Sequence, residues 1–391
     1  MKYGFIKVAS ASPKVKVANS QYNGEQIINL INLANEKDVK VVVFPELSLT
    51  GYTCGDLFFQ DVLIQDGLEQ LIRIVNHTKG MDILAVVGLP FFKGGKLYNV
   101  AAVIQNGKLL ALIPKKHIPN HNEINESRYF SSGNGKPEII DVNGSDVPFG
   151  TNILIQCKSL NKLTISVEIG EDLWAPNPPS NNHTLEGASL ILNPSASSRT
   201  IGKDLYRRGL VRMQSAKLLC GYIQSDAGEG ESTTDLVFSG HNIIAENGTI
   251  LAEEDFAHSR LLISEIDLEI LHTERRRNTI FKTLKNNDYI QVLFDFNSVN
   301  SKTLLSRTID PSPFIPKTKE EIIERCEEII NIQARGLKKR LEHIGTKHAV
   351  IGLSGGLDST LALLVTKRAF DLLKLDSKGI ICVTMPCFGT T

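Results

Sequence analysis

Several marks of common protein classes are missing from this sequence of 391 residues. Its six cysteines are scattered without a CxxC pair, so the sequence indicates neither a zinc knuckle nor a disulfide framework. No apolar run approaches the roughly 20 residues of a membrane-spanning helix, and the N-terminal segment lacks a signal-peptide core. Acidic and basic residues balance at 43 each, so no overall charge favours nucleic acid or an anionic membrane. These absences predict a cytoplasmic globular protein with no metal knuckle and no nucleic-acid or membrane partner.

Short apolar runs alternate with amphipathic stretches along most of the sequence. Apolar residues recur at helical spacing over 24–36 and 61–77. The β-rich runs lie at 3–10, 40–44, 83–88, 99–104, 108–114, 163–169 and 188–193. Asn-Gly pairs in QNGK (105–108) and ENGT (246–249) predict hairpin turns. The pattern therefore predicts an α/β fold with a mixed sheet and helices outside it.

The composition changes after about residue 275. Residues 276–317 are polar and basic with a proline-rich end, which predicts a linker between a domain at 1–275 and another at 318–391. The second domain opens with a charged amphipathic helix and continues into the apolar run HAVIGL (348–353). We therefore expect two domains of unequal size.

The run HAVIGL leads directly into Ser-Gly-Gly-Leu-Asp-Ser at 354–359. A loop of small residues between a strand and a helix can turn several backbone N–H groups toward one anion. The absence of Gly-Lys-Ser/Thr excludes a Walker loop. The sequence ends 32 residues after Ser359, which predicts an incomplete nucleotide-binding domain.

Three further strings place polar residues or a turn at the ends of predicted strands. Glu46 in FPELSLTGY could act as a general base or be a solvated loop carboxylate. Lys115 in PKKHIPN could stabilise an oxyanion or lie on the surface. Gly170 in VEIGEDLW lies at a sharp strand-to-helix turn, where a nucleophile is often held, but glycine carries none. Each string also has an ordinary structural interpretation.

Together these strings resemble the nitrilase, or carbon–nitrogen hydrolase, superfamily, whose catalytic triad is Glu, Lys and Cys. The separations fit, at 69 residues from Glu46 to Lys115 and 55 from Lys115 to Gly170. The resemblance implies a nitrilase-type α-β-β-α sandwich over 1–275, with Glu46 as base and Lys115 as oxyanion partner. Gly170 stands where the family has cysteine, and the N–H of Glu171 is implied as a second oxyanion donor. Cys54 is not expected to replace the missing nucleophile.

The order of a nitrilase-like region and SGGLDS resembles the glutamine-dependent NAD synthetases. That resemblance implies ammonia release from glutamine, its passage through a tunnel, and ATP-dependent amidation of deamido-NAD, with Mg²⁺ accompanying ATP. It also implies a Rossmann-like PP-loop domain and a homo-oligomer. The residues implied to line the glutamine pocket are Tyr52, His121, Glu126, Ser197 and Lys203. Those implied to contact ATP are Gly352, Leu353, Ser354, Gly355, Gly356, Leu357, Asp358 and Ser359.

Gly170 is the main departure from the family pattern, because glycine cannot form a thioester. Removing a nucleophile that acts together with its base costs on the order of 10⁶ in rate in studied hydrolases. The sequence therefore predicts an inactive glutaminase with an intact fold. Two alternatives remain open, which are a catalytically inactive nitrilase-fold scaffold and a stand-alone carbon–nitrogen hydrolase acting on another small amide.

Overall fold

The structure is a computed structural model that describes residues 1, 3–256, 261–281, 287–297 and 301–385. Cys387 and most of the final string TMPCFGTT lie outside these residues. The chain forms two units, Met1–Arg307 and Thr308–Thr391.

Nineteen strands form within the described residues. In chain order they are β1 (Phe5–Ala11), β2 (Val41–Val43), β3 (Leu84–Lys93), β4 (Lys96–Gln105), β5 (Lys108–Pro114), β6 (Asn120–His121), β7 (Ile124–Asn125), β8 (Glu138–Val142), β9 (Ser145–Phe149), β10 (Ile153–Cys157), β11 (Thr164–Val167), β12 (Leu190–Ser195), β13 (Gly221–Asp226), β14 (Asn242–Glu246), β15 (Thr249–Glu254), β16 (Leu261–Asp267), β17 (Ile290–Phe294), β18 (Ala349–Gly352) and β19 (Ile380–Val383).

Seven α-helices accompany these strands in the same described ranges. They are α1 (Ser20–Glu36), α2 (Asp61–His77), α3 (Pro179–Leu185), α4 (Lys203–Leu218), α5 (Leu268–Arg277), α6 (Lys319–Ile344) and α7 (Leu357–Leu373). Short 3₁₀ helices lie at Gly55–Phe59, Glu126–Arg128, Gly170–Trp174 and Ser377–Gly379. A search of the described residues finds no helix long and apolar enough to cross a membrane.

Two mixed sheets form the centre of the first unit. The larger has eight strands in the order β16-β1-β2-β3-β4-β5-β9-β8, and the other has seven in the order β15-β14-β13-β12-β11-β10-β17. Strands β1, β2 and β3 run parallel, with Ala9 opposite Val42 and Val42 opposite Ala85. In the second sheet β11, β12 and β13 also run parallel. The carboxyl ends of β2, β11 and β12 lead to Glu46, Gly170 and Ala196, which belong to the candidate site.

The alternation of buried residues along the strands explains the layered packing. In β2, Val41 and Val43 belong to the core that contains residues of both sheets, whereas Val42 belongs to the core under α1 and α2. Successive strand residues face opposite sides of a sheet, so an all-valine strand supplies both cores. On the second sheet, Val211 of α4 packs in a third core with Tyr222. The first unit is therefore an α-β-β-α sandwich, as predicted.

Both predicted Asn-Gly turns form. Asn106 joins β4 to β5 with φ of 48°, and Asn247 joins β14 to β15 with φ of 44°. Asparagine tolerates this left-handed region of φ. Each Asn-Gly turn therefore has the twist that its hairpin requires. The predicted helices at 24–36 and 61–77 correspond to α1 and α2.

The region predicted as a linker differs in the structure. Residues Ile290–Phe294 form β17, which pairs in parallel with β10 at the edge of the second sheet. Arg307 also contacts the first unit, since its guanidinium donates to both oxygens of Glu246 at 3.0 Å. This strand went unrecognised because the polar and basic residues around it dominate the local composition. The first unit therefore extends to Arg307, beyond the domain limit predicted at 275.

The second unit contains α6, α7 and a two-stranded parallel sheet. Ala349 in β18 lies opposite Ile380 in β19, and α7 connects the two strands. Apolar residues of α6 and α7, including Leu341 and Phe370, pack into a small core. Helix α6 begins with a capping box, in which Thr318 accepts from the backbone of Glu321 and the Glu321 carboxylate bonds back to Thr318. This β-α-β arrangement presents the loop at 354–359 between a strand and a helix.

Candidate active site

Three buried charged side chains meet in the first unit. Glu46 follows β2, Lys115 follows β5, and Glu126 begins the 3₁₀ helix after β7. The Lys115 Nζ lies 2.9 Å from Glu46 Oε2 and 2.6 Å from Glu126 Oε1. The Lys115 side chain is fully buried, and those of Glu46 and Glu126 are 2% and 5% exposed. The two strand-end residues predicted from the sequence are thus in direct contact, with a second carboxylate on the lysine.

Two further donors fix the orientation of the Glu46 carboxylate. The side-chain amide of Asn99 in β4 donates to Glu46 Oε2 at 2.8 Å. The backbone N–H of Ala196, just after β12, donates to Glu46 Oε1 at 2.7 Å. Asn99 lies in the first sheet and Ala196 follows a strand of the second. Glu46 is therefore held between the two sheets.

Burial controls the protonation of this cluster. Burial raises the pKa of Glu46 to about 8. The positive charge of Lys115 opposes this rise in pKa, and the negative charge of Glu126 adds to it. For Lys115, burial favours the neutral amine, but Glu126 and Glu46 outweigh it and raise its pKa above the ordinary value. A single cation between two carboxylates leaves one negative charge in excess, and burial disfavours that charge. Lys115 thus remains an ammonium ion, whereas Glu46 can gain or lose a proton near neutral pH.

Gly170 lies against this cluster. It begins the 3₁₀ helix after β11 with φ of +48°, and a Cβ at this position would lie 2.4 Å from Glu46 Oε1 and 3.1 Å from Lys115 Nζ. Any side chain at position 170 would therefore point between the carboxylate and the ammonium group. It would also displace Glu46 slightly and add roughly 1–2 kcal/mol of left-handed backbone strain. Glycine avoids both costs.

Asp172 fixes the backbone around this turn. Its buried carboxylate accepts from the N–H of Ile169 at 3.0 Å and from the N–H of His117 at 2.7 Å. The turn that carries Gly170 is thereby tied to the segment that follows Lys115.

Tyr52 joins the cluster through Glu126. The Tyr52 hydroxyl donates to Glu126 Oε1 at 2.8 Å, the same oxygen that contacts Lys115. Tyr52 and Glu126 also line a cavity of about 310 Å³. Of the predicted glutamine-pocket residues, Glu126 therefore contacts Lys115 directly, and Tyr52 contacts Glu126.

His121, Glu171 and Lys203 lie near a second cavity. His121 and Glu171 line this cavity of about 360 Å³ together with Trp174. The Lys203 Nζ lies 5.6 Å from the centre of the Trp174 ring. Burial raises the pKa of Glu171, against the attraction of Lys115, Lys203 and His121. This second group lies beside the 3₁₀ helix that begins at Gly170, which contains Glu171 and Trp174.

Ser197 contacts neither group through its hydroxyl in this structure. Its N–H donates to Asp226 Oδ1 at 2.7 Å, and its Oγ lies 3.4 Å from Ser195 Oγ. Since Ser197 follows Ala196, its hydrogen bond helps to fix the backbone that holds Glu46.

Cys54 is unsuited to act as a replacement nucleophile. Its Sγ donates to the carbonyl oxygens of Thr50 at 3.2 Å and Gly51 at 3.4 Å. Burial raises the pKa of its thiol to about 12, so the reactive thiolate is scarcely populated at neutral pH.

Sequence reasoning missed Asn99, Asp172 and Ala196 as supporting residues. Asp172 lies within VEIGEDLW, so its nearness to Gly170 was a usable signal. Asn99 and Ala196 lie 53 and 150 residues from Glu46. Strand pairing within the first sheet brings Asn99 to Glu46, and packing of the second sheet on the first brings Ala196 there.

The loop at 354–359 is exposed in the second unit. The Oγ of Ser354 lies 3.3 Å from the Oγ of Ser359, and the Gly356 N–H donates to Ser354 Oγ at 3.3 Å. Ser359 Oγ donates to the Gly356 carbonyl at 3.0 Å. These bonds curl the loop at the start of α7. Within the described ranges, His, Cys, Asp and Glu form no group of three or more that could hold a metal ion.

Comparison with known proteins shows that two parts of the sequence match two different families. Residues 7–275 match the Carbon-nitrogen hydrolase family, and residues 329–391 match the NAD synthase family. The chain is 34% identical over 397 aligned residues to a protein of Mycobacterium tuberculosis named glutamine-dependent NAD(+) synthetase. That alignment covers 100% of this chain and 58% of the relative, so the chain spans just over half of the relative's length.

Solved structures agree on the fold. A glutamine-dependent NAD(+) synthetase from Cytophaga hutchinsonii superposes with a TM-score of 0.61 at 20% identity, covering 99% of this chain and 61% of that one. A carbon–nitrogen hydrolase from Helicobacter pylori superposes with a TM-score of 0.56 at 18% identity, covering 71% of this chain and 94% of that one. The nitrilase-type sandwich and both resemblances drawn from the motifs are confirmed. Since the match over 7–275 spans well over half of the sequence, the chain belongs to the carbon–nitrogen hydrolase family.

Proposed function

We propose that the first unit is the glutamine amidohydrolase site of a glutamine-dependent NAD synthetase, with glycine in the position of the nucleophilic cysteine. The observation that carries this proposal is the direction of a side chain at position 170. Its Cβ would lie 2.4 Å from Glu46 Oε1 and 3.1 Å from Lys115 Nζ. A thiol there would lie beside a base whose burial raises its pKa to about 8 and beside a permanent cation.

These residues suit each step of amide hydrolysis by a thiol at position 170. Glu46 takes the thiol proton, the sulfur bonds to the amide carbon, and the carbonyl oxygen becomes an oxyanion. Lys115 has three N–H donors and gives two to Glu46 and Glu126 among the described residues, which leaves one for that oxyanion. The proposed second donor is the backbone N–H of Glu171.

The later steps use Glu46 again. It returns its proton to the leaving nitrogen as the carbon–nitrogen bond breaks and ammonia departs. It then takes a proton from water as the water oxygen attacks the thioester carbon. It gives this proton to sulfur as the carbon–sulfur bond breaks, which releases glutamate and the free thiol. A pKa near neutral allows one carboxylate to accept and return protons in this way.

Glu126 suits a role in holding the substrate amide. Its Oε2 is buried and has no hydrogen-bond partner among the described residues. A buried carboxylate oxygen without a donor is costly, and the N–H₂ of a substrate amide would satisfy it. Tyr52, His121, Ser197 and Lys203 are proposed to bind the rest of glutamine. Lys203 and His121 supply positive or donor groups near the second cavity.

We infer that the second unit binds ATP for the amidation of deamido-NAD. Residues 352–359 place small side chains, two hydroxyls and the start of α7 at one exposed loop, which suits an anionic phosphate. Mg²⁺ bound to the ATP phosphates is part of the same proposal. Deamido-NAD binding and assembly into a homo-oligomer remain predictions from the resemblance.

Restoring the thiol tests this proposal. We expect no glutamate release from glutamine by the parent chain and measurable release by Gly170→Cys, because the thiol completes the site. Gly170→Ala is the matched control, since it introduces the same backbone strain and the same Cβ without a nucleophile. Glutamate is measured by a coupled dehydrogenase assay, with circular dichroism to confirm folding. If Gly170→Cys is folded and releases no glutamate, the glutaminase assignment is wrong for this chain.

Gly170 itself favours a second candidate function, a scaffold that binds ligands without catalysis. The scaffold hypothesis predicts that the parent binds glutamine, measured by titration calorimetry, while Gly170→Cys still fails to hydrolyse it. A stand-alone hydrolase would instead give a Gly170→Cys variant that prefers other small amides to glutamine. A panel of aliphatic amides separates these outcomes.

A further inference from the structure

A buried carboxylate outside the Glu46 cluster binds the backbone beside Tyr52. Glu231 lies between β13 and β14 and is 8% exposed. Its Oε1 accepts from the Tyr52 N–H at 2.7 Å, and its Oε2 accepts from the Thr53 N–H at 3.0 Å and from Thr53 Oγ1 at 2.5 Å. All three donors belong to the turn that carries Tyr52. The carboxylate therefore clamps this turn.

The segment 229–238, which contains Glu231, is fixed at several other points. The Glu229 carbonyl accepts from the Val15 N–H at 3.0 Å, and a Cβ on Gly230 would lie 1.9 Å from the Val15 carbonyl oxygen. Only glycine permits so close an approach. At the other end, the Phe238 ring contacts the Tyr52 ring edge-on, with centroids 5.7 Å apart. The segment thus holds Tyr52 by its backbone and by its ring.

The contacts continue from Tyr52 into the site. Its hydroxyl donates to Glu126 Oε1 at 2.8 Å, and that oxygen lies 2.6 Å from Lys115 Nζ. Ser232, Thr234, Asp235 and Leu236 of the same segment line the 310 Å³ cavity beside Tyr52 and Glu126. A shift of the turn would therefore move the tyrosine hydroxyl relative to the carboxylate that it orients.

The chemistry of Glu231 suits a fixed clamp. Burial raises the pKa of its carboxyl group, and the hydrogen bonds from Thr53 and Tyr52 oppose that effect. Glutamine at this position would place an N–H₂ group against one of the backbone donors, since only one of its terminal atoms accepts. Small displacements of positioning groups can cost about 10² in rate.

We propose that Glu231 is a positioning residue for the glutamine site, acting through Tyr52 on Glu126. This inference rests on the proposed glutaminase function. In this proposal, the 229–238 segment fixes the tyrosine hydroxyl before substrate binds and so preorganises Glu126 and Lys115.

A double-mutant cycle in the Gly170→Cys chain tests the proposal. Glu231→Gln and Tyr52→Phe are each expected to lower kcat/KM for glutamine about tenfold, mainly through KM. Together they should lower it about tenfold as well, because both remove the same positioned hydroxyl. A combined loss of about a hundredfold would show independent action and overturn the proposal. Glu229→Gln is the matched control, since Glu229 belongs to the same segment and pairs with Lys14 on the surface.

A second measurement decides the proposal if Gly170→Cys has no glutaminase activity and the proposed function fails. With ¹⁵N-labelled tyrosine, the Tyr52 amide signal is identified by its loss in Tyr52→Phe. Glu231→Gln should shift this signal strongly, since the amide loses a charged acceptor, and Glu229→Gln should leave it unchanged. An unmoved Tyr52 signal in Glu231→Gln would exclude the clamp whatever the substrate.

Discussion

In the first unit, Glu46, Lys115 and Glu126 come from three separate segments and meet in a buried cluster. In the second unit, residues 354–359 are one continuous segment, a short loop followed by the first turn of α7, and their side chains are largely exposed. The cluster requires β2 to β5 of the first sheet to pair, and the segment carrying Glu126 to fold against them, before its charges meet. The loop needs only a strand end and a helix start. A buried ion cluster that loses one partner leaves an uncompensated charge, whereas an exposed loop is solvated by water. Replacing one polar side chain should therefore lower the free energy of unfolding more in the buried cluster than in the exposed loop.

The largest expected effect on stability comes from Lys115→Met. Methionine keeps most of the side-chain volume but leaves Glu46 and Glu126 buried without their cation. The unfolding free energy at pH 8 should fall by about 3–5 kcal/mol, as found when one partner of a buried ion pair is removed. Urea unfolding followed by circular dichroism measures this change. Lys116→Met is the control, because Lys116 is adjacent in sequence and only half-buried. Equal effects of the two substitutions would show that the cluster does not depend on its cation.

The contrast between the two regions also explains what the sequence predicted. The loop at 354–359 and the strand-end residues Glu46 and Lys115 lie in continuous strings, and short-range patterns identified them. The strand at 40–44 and helices α1 and α2 followed from apolar spacing, which is local information. The contact between Glu46 and Lys115 followed from resemblance, since they lie 69 residues apart.

Local sequence patterns could not identify the other parts of the site. Asn99 reaches Glu46 only because β2, β3 and β4 pair in the first sheet, and Ala196 only because the second sheet packs against the first. Neither residue type suggests this role. Glu231 contacts Tyr52 across 179 residues, through a segment with no regular secondary structure. β17 has the β-favouring sequence Ile-Gln-Val-Leu-Phe, but the run is short and polar and basic residues surround it. Its partner β10 lies more than a hundred residues earlier in the sequence, so no local pattern predicts their pairing.

Glu168 is another buried carboxylate, and its hydrogen-bond partners are neutral groups. Its Oε1 accepts from the Tyr222 hydroxyl at 2.6 Å and its Oε2 from the Ser180 N–H at 2.8 Å. Burial raises its pKa from 4.5 to about 7, although both hydrogen bonds oppose this. Because the folded-state pKa is the higher, its contribution to stability is fully present below about pH 4.5 and is lost as pH rises through 7.

The expected loss amounts to about 3 kcal/mol between pH 4.5 and pH 8, from a shift of about 2.5 pKa units. Glu168→Gln does not ionise, so its unfolding free energy should fall by about 3 kcal/mol less than that of the parent over this range. Urea unfolding at several pH values measures the difference, and other titrating groups largely cancel between the two chains. Glu36→Gln, on the exposed part of α1, is the control. Parallel pH profiles for parent and Glu168→Gln would mean that Glu168 ionises as readily when folded as when unfolded.

The smallest expected effect on stability concerns the exposed loop. Ser359→Ala removes one hydroxyl that donates to the Gly356 carbonyl and lies 3.3 Å from Ser354 Oγ. Solvent replaces these bonds, so the unfolding free energy should change by less than about 0.5 kcal/mol. ATP affinity should nevertheless fall by roughly 2–10-fold, which corresponds to one hydrogen bond of about 0.5–1.5 kcal/mol. Titration calorimetry with ATP measures the affinity, and Ser377→Ala, in another exposed turn of the unit, is the control.

Unchanged ATP binding in Ser359→Ala would show that the Ser359 hydroxyl is not part of the proposed phosphate site. A large loss of stability would instead show that the loop, like the buried cluster, is held by its side chains.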